Sequence, residues 1–251
     1  MIRLSAEQFM MIENKALHAF VGRVVEALPD YAGPLVAHRP RPVVFKAAQE
    51  AVRRAERYGL QTERELFHYC QLTVMLGAAF DTDPALPWAG VILRDDTYVD
   101  AAEKLDDLWN TAMDYMDAVF DAEAGSFPIQ AYRAYLARGP VPQELGQRSV
   151  IALDDLAAIW PEKAAFLPFE VFKAGVSAAA ERAADWGLDL PAQWRFCRIA
   201  FLLGYAFDAD PLHDWAGPVL DQSTSAAQRM DALEEIFERI VVQPALATDL
   251  T

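Results

Sequence analysis

The sequence predicts an all-α protein built from two tandem copies of a multi-helix repeat that pack together. Apolar residues recur at positions i, i+3, i+4 and i+7 in nearly every periodic segment, and no stretch shows the period of two that strands require. A fourteen-residue motif also occurs twice, as GAAFDTDPALPWAG at 77–90 and as GYAFDADPLHDWAG at 204–217. Such internal repetition indicates a duplicated structural unit.

The two motifs share nine of fourteen positions at a fixed offset of 127 residues. The match continues upstream, where Val-Phe-Lys-Ala, Arg-Ala and an aromatic-Gly-Leu turn recur in the same order. We therefore divide the chain into a first repeat, 1–126, and a second repeat, 127–251, within one compact unit. The motif residues expected to build the repeated turn are Phe80, Asp81, Asp83, Pro84, Trp88, Phe207, Asp208, Asp210, Pro211 and Trp215.

The first helix is predicted from the residues at its ends. Ser5 with Gln8 three residues later forms a capping box, which is typical of a helix start. Pro29 is expected to stop this helix after about Leu28, because proline removes a backbone donor and clashes with the preceding turn. The proline-rich stretch 33–42 then predicts a loop.

The later helices follow from apolar spacing and breaker residues. A helix over 43–58 ends before Gly59, which suits the C′ position, and a capping box of Thr62 with Glu65 opens the next helix. Further helices are predicted up to about Ala79, behind Asp83-Pro84, over 99–123 with a break at Gly125, over 128–138 before the turn 139–142, and over 154–160, 169–185, 191–206, 211–220 and 225–242.

The composition is that of a globular protein, with 53% hydrophobic and 24% charged residues. We expect a cytoplasmic protein with no membrane partner, because no apolar run reaches the length of a membrane span and charged residues interrupt the first twenty positions.

Cys70 and Cys197 occupy equivalent apolar positions of the two repeats. We expect two buried free thiols there rather than a disulfide.

The charge argues against a nucleic-acid partner. The formal net charge is −15 and the isoelectric point is near 4.6, whereas phosphate backbones select clustered lysine and arginine. An acidic surface instead favours solubility and attracts basic proteins.

The doubled FDxDP sequence is the most obvious candidate site. Asp81 with Asp83, and Asp208 with Asp210, could place two carboxylates on one loop for acid–base chemistry or for a hard cation. A structural role is favoured, because an aspartate before proline satisfies free N–H groups at a helix start. Metal binding and catalysis stay open as alternatives.

Other catalytic signatures are missing from the sequence. The four histidines are scattered without metal-ligand spacing, and no nucleophile elbow, phosphate-binding loop, dinucleotide-binding glycine motif or CxxC is present. We therefore assign no catalytic residue, no metal and no cofactor, and we predict a protein that is not an enzyme.

Two acidic helix faces are the candidate binding surfaces. One lies on the helix predicted over 99–123 and the other on its counterpart over 225–242. A solvated outer face is the competing interpretation. The candidate binding residues are Asp106, Asp107, Asp114, Asp117, Asp231, Glu234, Glu235 and Glu238.

The segment RYGLQTERELFHYCQLTVMLGAAFDTDPALPWAGVIL, with the opening MIRLSAEQF, resembles a family of uncharacterised bacterial proteins that are often encoded beside type VI secretion effectors. The specific elements are the aromatic-Gly-Leu turn and FDxDPxxxWA. The resemblance covers about 54–94 most closely and implies an accessory, adaptor or immunity role without known catalytic residues.

Together these observations predict a protein-binding accessory protein whose partner is a secreted effector or a part of its loading machinery. In the immunity version, the acidic surface occludes a basic toxin face. The alternative is a metal-dependent enzyme that uses the duplicated FDxDP loops.

Overall fold

The computed structural model describes residues 6–37, 39–120, 128–139 and 149–248. The regular elements of these residues are all helical, without a strand, which confirms the predicted all-α class. The α-helices are α1 Ala6–Ala37, α2 Arg41–Glu56, α3 Glu63–Leu76, α4 Pro87–Arg94, α5 Ala101–Val119, α6 Ile129–Ala137, α7 Ser149–Ile159, α8 Pro161–Phe166, α9 Phe169–Asp185, α10 Leu190–Leu203, α11 Ala216–Leu220, α12 Ala226–Phe237 and α13 Gln243–Thr248. Short 3-10 turns, Phe207–Ala209 and Pro211–His213, precede α11, and a π-helical turn, Glu238–Val242, joins α12 to α13.

The first helix is longer than predicted. It continues through Pro29 to Ala37, so the predicted end near Leu28 and most of the predicted loop at 33–42 are wrong. Leu28, Ala32 and Val36 repeat at intervals of four residues and are all buried. The stabilisation from burying this apolar stripe offsets the loss of the backbone hydrogen bond that Pro29 cannot form.

Capping explains where α2 and α3 begin and end. The predicted capping box of Thr62 with Glu65 opens α3. Gly59 has a positive φ of 80° after α2, as expected for a C′ glycine. Helix α3 ends at Leu76 rather than at the predicted Ala79, because Gly77 takes a φ of 94° that a right-handed helix excludes.

Asp83 does not cap α4 as predicted, since that helix begins only at Pro87 and has Leu86 at its N-cap. The Asp83 carboxylate instead accepts the N–H of Ala85 at 2.8 Å, within the turn that precedes the helix. In the second half, Asp210 caps the 3-10 turn Pro211–His213 in the same way.

The long acidic helix α5 starts at Ala101, where Asp100 accepts the N–H of Glu103 at 2.8 Å. The helix ends at Val119, where Phe120 is already extended, so the predicted end near 123 is wrong. The break at Gly125 and the turn at 140–142 lie outside the described residues. Among the described residues, no helix combines the length and the apolar character that a membrane crossing requires.

The second half begins differently from the prediction. Helix α7 starts at Ser149 rather than at 154, and the six-residue helix α8 was not anticipated. From there α9 spans the predicted 169–185, and α10 starts within one residue of its predicted start.

The helices of the two sequence halves pack against one another. Helix α1 contacts α13, α5 contacts α8, and α2 contacts the turn Pro211–His213. One apolar cluster takes residues from both halves. The boundary at 126/127 and the tandem duplication stay predictions from the sequence.

Residues that correspond at the offset of 127 occupy similar surroundings. The rings of Tyr69 and Phe80 lie 5.0 Å apart, and those of their counterparts Phe196 and Phe207 lie 4.7 Å apart. Both cysteines are free and buried as expected, and burial raises the pKa of each thiol to about 12.

Candidate functional site

The first aspartate of the first motif is held by two side chains of its own half. Asp81 is almost fully buried and accepts hydrogen bonds from the guanidinium of Arg54 and from the hydroxyl of Tyr58, the latter at 2.8 Å. Burial and the bond to Asp81 raise the pKa of Tyr58 to about 12. The negative charge of Asp81 is therefore paired with the positive charge of Arg54 inside the fold.

The corresponding aspartate of the second motif has corresponding partners. Asp208 accepts from Nε and Nη2 of Arg182 at 2.8 and 2.7 Å, and from the indole N–H of Trp186 at 2.9 Å. These contacts explain why Arg-Ala and the aromatic-Gly-Leu turn recur upstream of both motifs. The repeated residues are the parts of one buried ion-pair cluster, present once in each half.

The second aspartate of the second motif joins the two halves. The fully buried Asp210 carboxylate accepts the N–H of Leu212 at 2.8 Å and the N–H of Ala78 at 2.9 Å. Ala78 belongs to the first motif. Burial raises the pKa of Asp210, and the backbone donors oppose that rise.

The second aspartate of the first motif is placed in the same manner. Asp83 accepts the N–H of Ala85, and the backbone N–H of Tyr205 in the second motif also stabilises its charged form. Burial raises the pKa of Asp83 as well. Each motif loop thus offers a carboxylate to the backbone of the other.

Two glycines let the motif loops approach this closely. Gly77 and Gly204 have φ angles of 94° and 103°, with ψ near 150°, a conformation that only glycine adopts readily. A Cβ on Gly77 would lie 2.9 Å from the carbonyl oxygen of Leu203 and 3.9 Å from the Cα of Gly204.

A buried lysine faces Asp83 from the second half. Lys163 of α8 donates to the carbonyl of Phe201 at 2.7 Å and lies 4.7 Å from the ring centroid of Trp160. Burial lowers its pKa to about 8, while the charge of Asp83 acts in the opposite direction.

Arg39 of the first half lies near Asp210, as Lys163 of the second half lies near Asp83. The Arg39 guanidinium also lies 3.5 Å from Nδ1 of His213. Since arginine only donates, Nδ1 accepts and the imidazole is neutral. Burial, and then Arg39, lower the pKa of His213 to about 3. Both Lys163 and Arg39 lie in divergent segments, so repeat matching could not have found them.

The four motif aspartates are therefore engaged by arginines, backbone N–H groups and aromatic donors. Phe80 and Phe207 are fully buried, whereas Trp88 and Trp215 are only partly buried. In the part of the chain that the structure describes, no group of three or more His, Cys, Asp or Glu side chains could hold a metal ion.

The acidic residues of α5 lie on its solvent side, and two of them are already paired. Asp106 forms an ion pair with Arg64 at 2.8 Å, and Asp107 accepts the Tyr98 hydroxyl at 2.8 Å. Asp114 and Asp117 are exposed without an ion pair among the described residues. Glu103, in the first turn of α5, is exposed and free of an ion pair among these residues as well.

The acidic residues of α12 and the following turn are more strongly engaged. Arg195 of α10 binds both Asp231 and Glu234 at 2.6 Å. Glu235 lies 3.8 Å from Arg239, and Glu238 is partly buried. The main neighbours of α12 are α10 and α11, whereas α5 packs on α3, α4 and α8. The structure thus places the two predicted faces on separate helix groups.

Two exposed aromatic side chains at the turn between α8 and α9 were not anticipated. Phe166 and Phe169 flank the turn between α8 and α9 and are 45% and 60% exposed. The Phe166 ring stands edge-on to Tyr115 of α5, with centroids 5.4 Å apart, and Tyr115 directly follows Asp114. We call the exposed Phe166 and Phe169, together with the exposed Asp114 and Asp117 of the helix on which Phe166 packs, the aromatic–acidic patch. The apolar spacing of α8 and α9 gave no sign that these rings face solvent.

The fold and the site thus define an all-helical protein whose two motif loops are held by exchanged backbone contacts. Comparisons with protein-family models, with curated proteins and with solved structures find no match to this chain.

Proposed function

We propose that this protein is a cytoplasmic, non-enzymatic accessory protein that binds another protein. In its narrower form, the proposal is an adaptor or immunity protein for a type VI secretion effector. The aromatic–acidic patch is the observation that supports binding. The narrower form rests on the family resemblance of the segment around the first motif.

The physical argument begins with the cost of exposing aromatic rings. Phe166 and Phe169 are 45% and 60% exposed, so a partner could cover about half of each side chain. Covering that area contributes about 1 kcal/mol for each ring. Aromatic side chains are common anchors of protein interfaces. Exposed rings at the α8–α9 turn, next to a helix that packs on the acidic helix α5, are therefore suited to the recognition of a partner.

The charge on the helix that Phe166 packs against selects the kind of partner. Asp114 and Asp117 are not neutralised within the described residues, and the whole chain carries −15. Carboxylates at the rim of an interface speed association with a basic surface and mainly affect the on-rate. The partner that fits has an apolar pocket or groove bordered by lysine or arginine.

The alternative, a metal-dependent enzyme at the FDxDP loops, has no observation in its favour. Such a site requires carboxylates that converge on a shared space. Asp81 and Asp208 instead face arginines, while Asp83 and Asp210 face backbone donors. A rise in Tm on adding Mg²⁺ or Ca²⁺ would count in favour of the enzyme.

The experiment is a pull-down with tagged protein from its own bacterium, followed by mass spectrometry, in wild type and in the double variant Phe166→Ser/Phe169→Ser. We expect a stoichiometric partner with wild type and its loss with the double variant. The matched control is Leu190→Ser, which removes a 53% exposed apolar side chain from the start of α10. A partner retained equally by all three proteins would rule out the patch as the binding surface.

The region of the partner that is bound in this complex distinguishes an immunity protein from an adaptor. An immunity protein should bind the catalytic domain of a toxin, whereas an adaptor should bind a non-catalytic region. Asp114→Asn/Asp117→Asn should slow association most at low salt, because exposed charges are screened as ionic strength rises. Asp231→Asn, whose carboxylate is already bound by Arg195, should have the smaller effect.

A further inference from the structure

A buried lysine on α8 has fewer hydrogen-bond partners than its ammonium group can use. Lys163 is 8% exposed, and its Nζ donates to the carbonyl of Phe201 at 2.7 Å. Among the described residues this is its one hydrogen bond, whereas an ammonium group has three donors. The other two N–H groups have no acceptor in that part of the chain, although the side chain is shielded from water.

The Lys163 side chain lines a small cavity between the two sequence halves. Asp83 and Tyr205 also line this cavity, and much of the remaining wall is apolar, with Phe172 and Val176 among its residues. The cavity measures about 20 Å³, which is room for about one water molecule. Tyr205 is partly exposed, so the cavity extends close to the surface.

The surroundings of Lys163 release its proton easily and still attract a positive charge. Burial lowers the pKa of Lys163 to about 8, so about a tenth of the amine is unprotonated at pH 7. For an exposed lysine that fraction is below about one in a thousand. The charge of Asp83 acts against the effect of burial, and the rings of Trp160 and Phe201 lie 4.7 and 4.8 Å from Nζ. A positive charge on this nitrogen is therefore attracted by a carboxylate and by two aromatic rings.

These features fit a carbonyl compound better than other electrophiles that react with an amine. An aldehyde condenses with the amine to an iminium ion, which keeps the positive charge that Asp83 and the rings attract. Carbon dioxide would leave a carbamate anion, and acyl transfer would leave a neutral amide, so both would remove that charge. The cavity limits the aldehyde to one carbon, because the CH₂ group that remains on the nitrogen is about as large as one water molecule.

We propose that Lys163 is a covalent binding site for a one-carbon aldehyde. The unprotonated amine attacks the carbonyl carbon of formaldehyde, so that the C–N bond forms and the electron pair of the carbonyl moves to oxygen. The proton that the ammonium gave up returns to this oxygen, with Asp83 as the carboxylate of the cavity that holds it. Loss of water then leaves the iminium ion, so ammonium and formaldehyde together become iminium and water. This site goes beyond protein binding, and its test requires no knowledge of the protein partner.

The experiment is treatment of the full-length protein with dilute formaldehyde and cyanoborohydride at pH 7, which reduces the iminium ion to methyl-lysine. Peptide mass spectrometry gives the rate of methylation at each lysine. The matched control is Lys104, which is comparably buried and donates to the carbonyl of Leu93 at 3.1 Å but does not line the cavity. We expect Lys163 to react about tenfold faster than Lys104 or more, because only Lys163 combines a large unprotonated fraction with space for the adduct.

Two further measurements separate the cavity from general lysine reactivity. With propanal, whose three carbons exceed the cavity, the preference for Lys163 should disappear. In the folded protein the rate at Lys163 should level off above about pH 8, whereas in urea it should rise toward the ordinary lysine pKa of about 10.4. Methylation of Lys163 no faster than that of Lys104 in the folded protein overturns the proposal. So does an equal preference with propanal, or a preference that survives unfolding in urea.

Discussion

The carboxylate of Asp210 accepts a hydrogen bond from the backbone N–H of Ala78 at 2.9 Å, although 132 residues separate the two positions. The two residues belong to different copies of the repeated motif. In the opposite direction, the backbone N–H of Tyr205 helps to stabilise the charged form of Asp83 and so opposes the rise in its pKa that burial causes. The motif loops therefore hold the two sequence halves together, in addition to shaping turns within each half.

Replacing Asp210 with alanine should destabilise the protein by about 2–3 kcal/mol, because two buried backbone donors lose their acceptor. The measurement is urea denaturation at pH 7. The control is Asp189→Ala, which removes an ordinary N-cap that accepts only the N–H of Ala192 in its own half. That change should cost about 1 kcal/mol. Equal losses in the two variants would show that the contact to Ala78 adds no stability.

Gly77→Ala should be far more costly than Gly59→Ala. Both glycines have positive φ, but Gly59 has open space where a Cβ would stand, whereas Gly77 would meet the carbonyl oxygen of Leu203 at 2.9 Å. We expect a loss of about 1–2 kcal/mol for Gly59→Ala from backbone strain alone. For Gly77→Ala we expect about 3 kcal/mol or more, since its conformation is nearly restricted to glycine. Thermal denaturation of both variants decides the point, and similar Tm values would contradict a tight approach of the loops.

The buried ion pair of the second motif should show strong coupling. Arg182→Met leaves the Asp208 carboxylate without its ion-pair partner, although that side chain is only 2% exposed. The free energy of unfolding should fall by about 3 kcal/mol. In the double variant Arg182→Met/Asp208→Asn, part of that loss should be recovered because no buried charge remains. A double-mutant cycle on unfolding free energies measures the coupling. Additive losses would show that the pair is not energetically linked.

Acid should destabilise the protein partly through His213. The folded pKa of this side chain is about 3, and the unfolded value is about 6.5. The unfolded chain therefore binds a proton that the folded chain rejects, so the free energy of unfolding falls as pH drops below about 6.5 toward about 3. Between pH 7 and pH 5 this group contributes a loss of about 2 kcal/mol.

The comparison for that prediction is His213→Asn, which keeps an acceptor for Arg39 and removes the titration. Its stability should fall about 2 kcal/mol less than that of wild type between pH 7 and pH 5. Parallel pH profiles of wild type and His213→Asn would refute the assignment.

The elements with local signals were predicted well. The capping box at Thr62 and the span of α9 required only neighbouring residues, and both are confirmed. The end of α1 was missed because Pro29 is a strong local breaker, and the burial of Ala32 and Val36 that overrides it depends on distant helices. The start of α4 was predicted wrongly because Asp83 does not cap that helix. Its carboxylate accepts the N–H of Ala85 in the preceding turn and faces the other motif loop.

The features of the candidate site also divide into those that the sequence predicted and those that depend on tertiary contacts. The sequence identified the motif aspartates and indicated that they are structural, but it had no means to assign their partners. Arg54 and Arg182 could be recognised as repeated residues, whereas Lys163 and Arg39 lie in segments that do not align. The exposure of Phe166 and Phe169, and the pairing of Asp231 with Arg195, depend on how helices meet.

The sequence alone determined the all-α class, the repeated motif and the acidic charge, because helical periodicity, identity at a fixed offset and composition are properties of the chain itself. Only the tertiary structure decided that the two motif loops contact one another, and which acidic residues remain free. The contact of the loops joins residues 132 positions apart, and the acidic pairs join different helices. Their energies arise from burial and hydrogen bonding that no local stretch of sequence specifies.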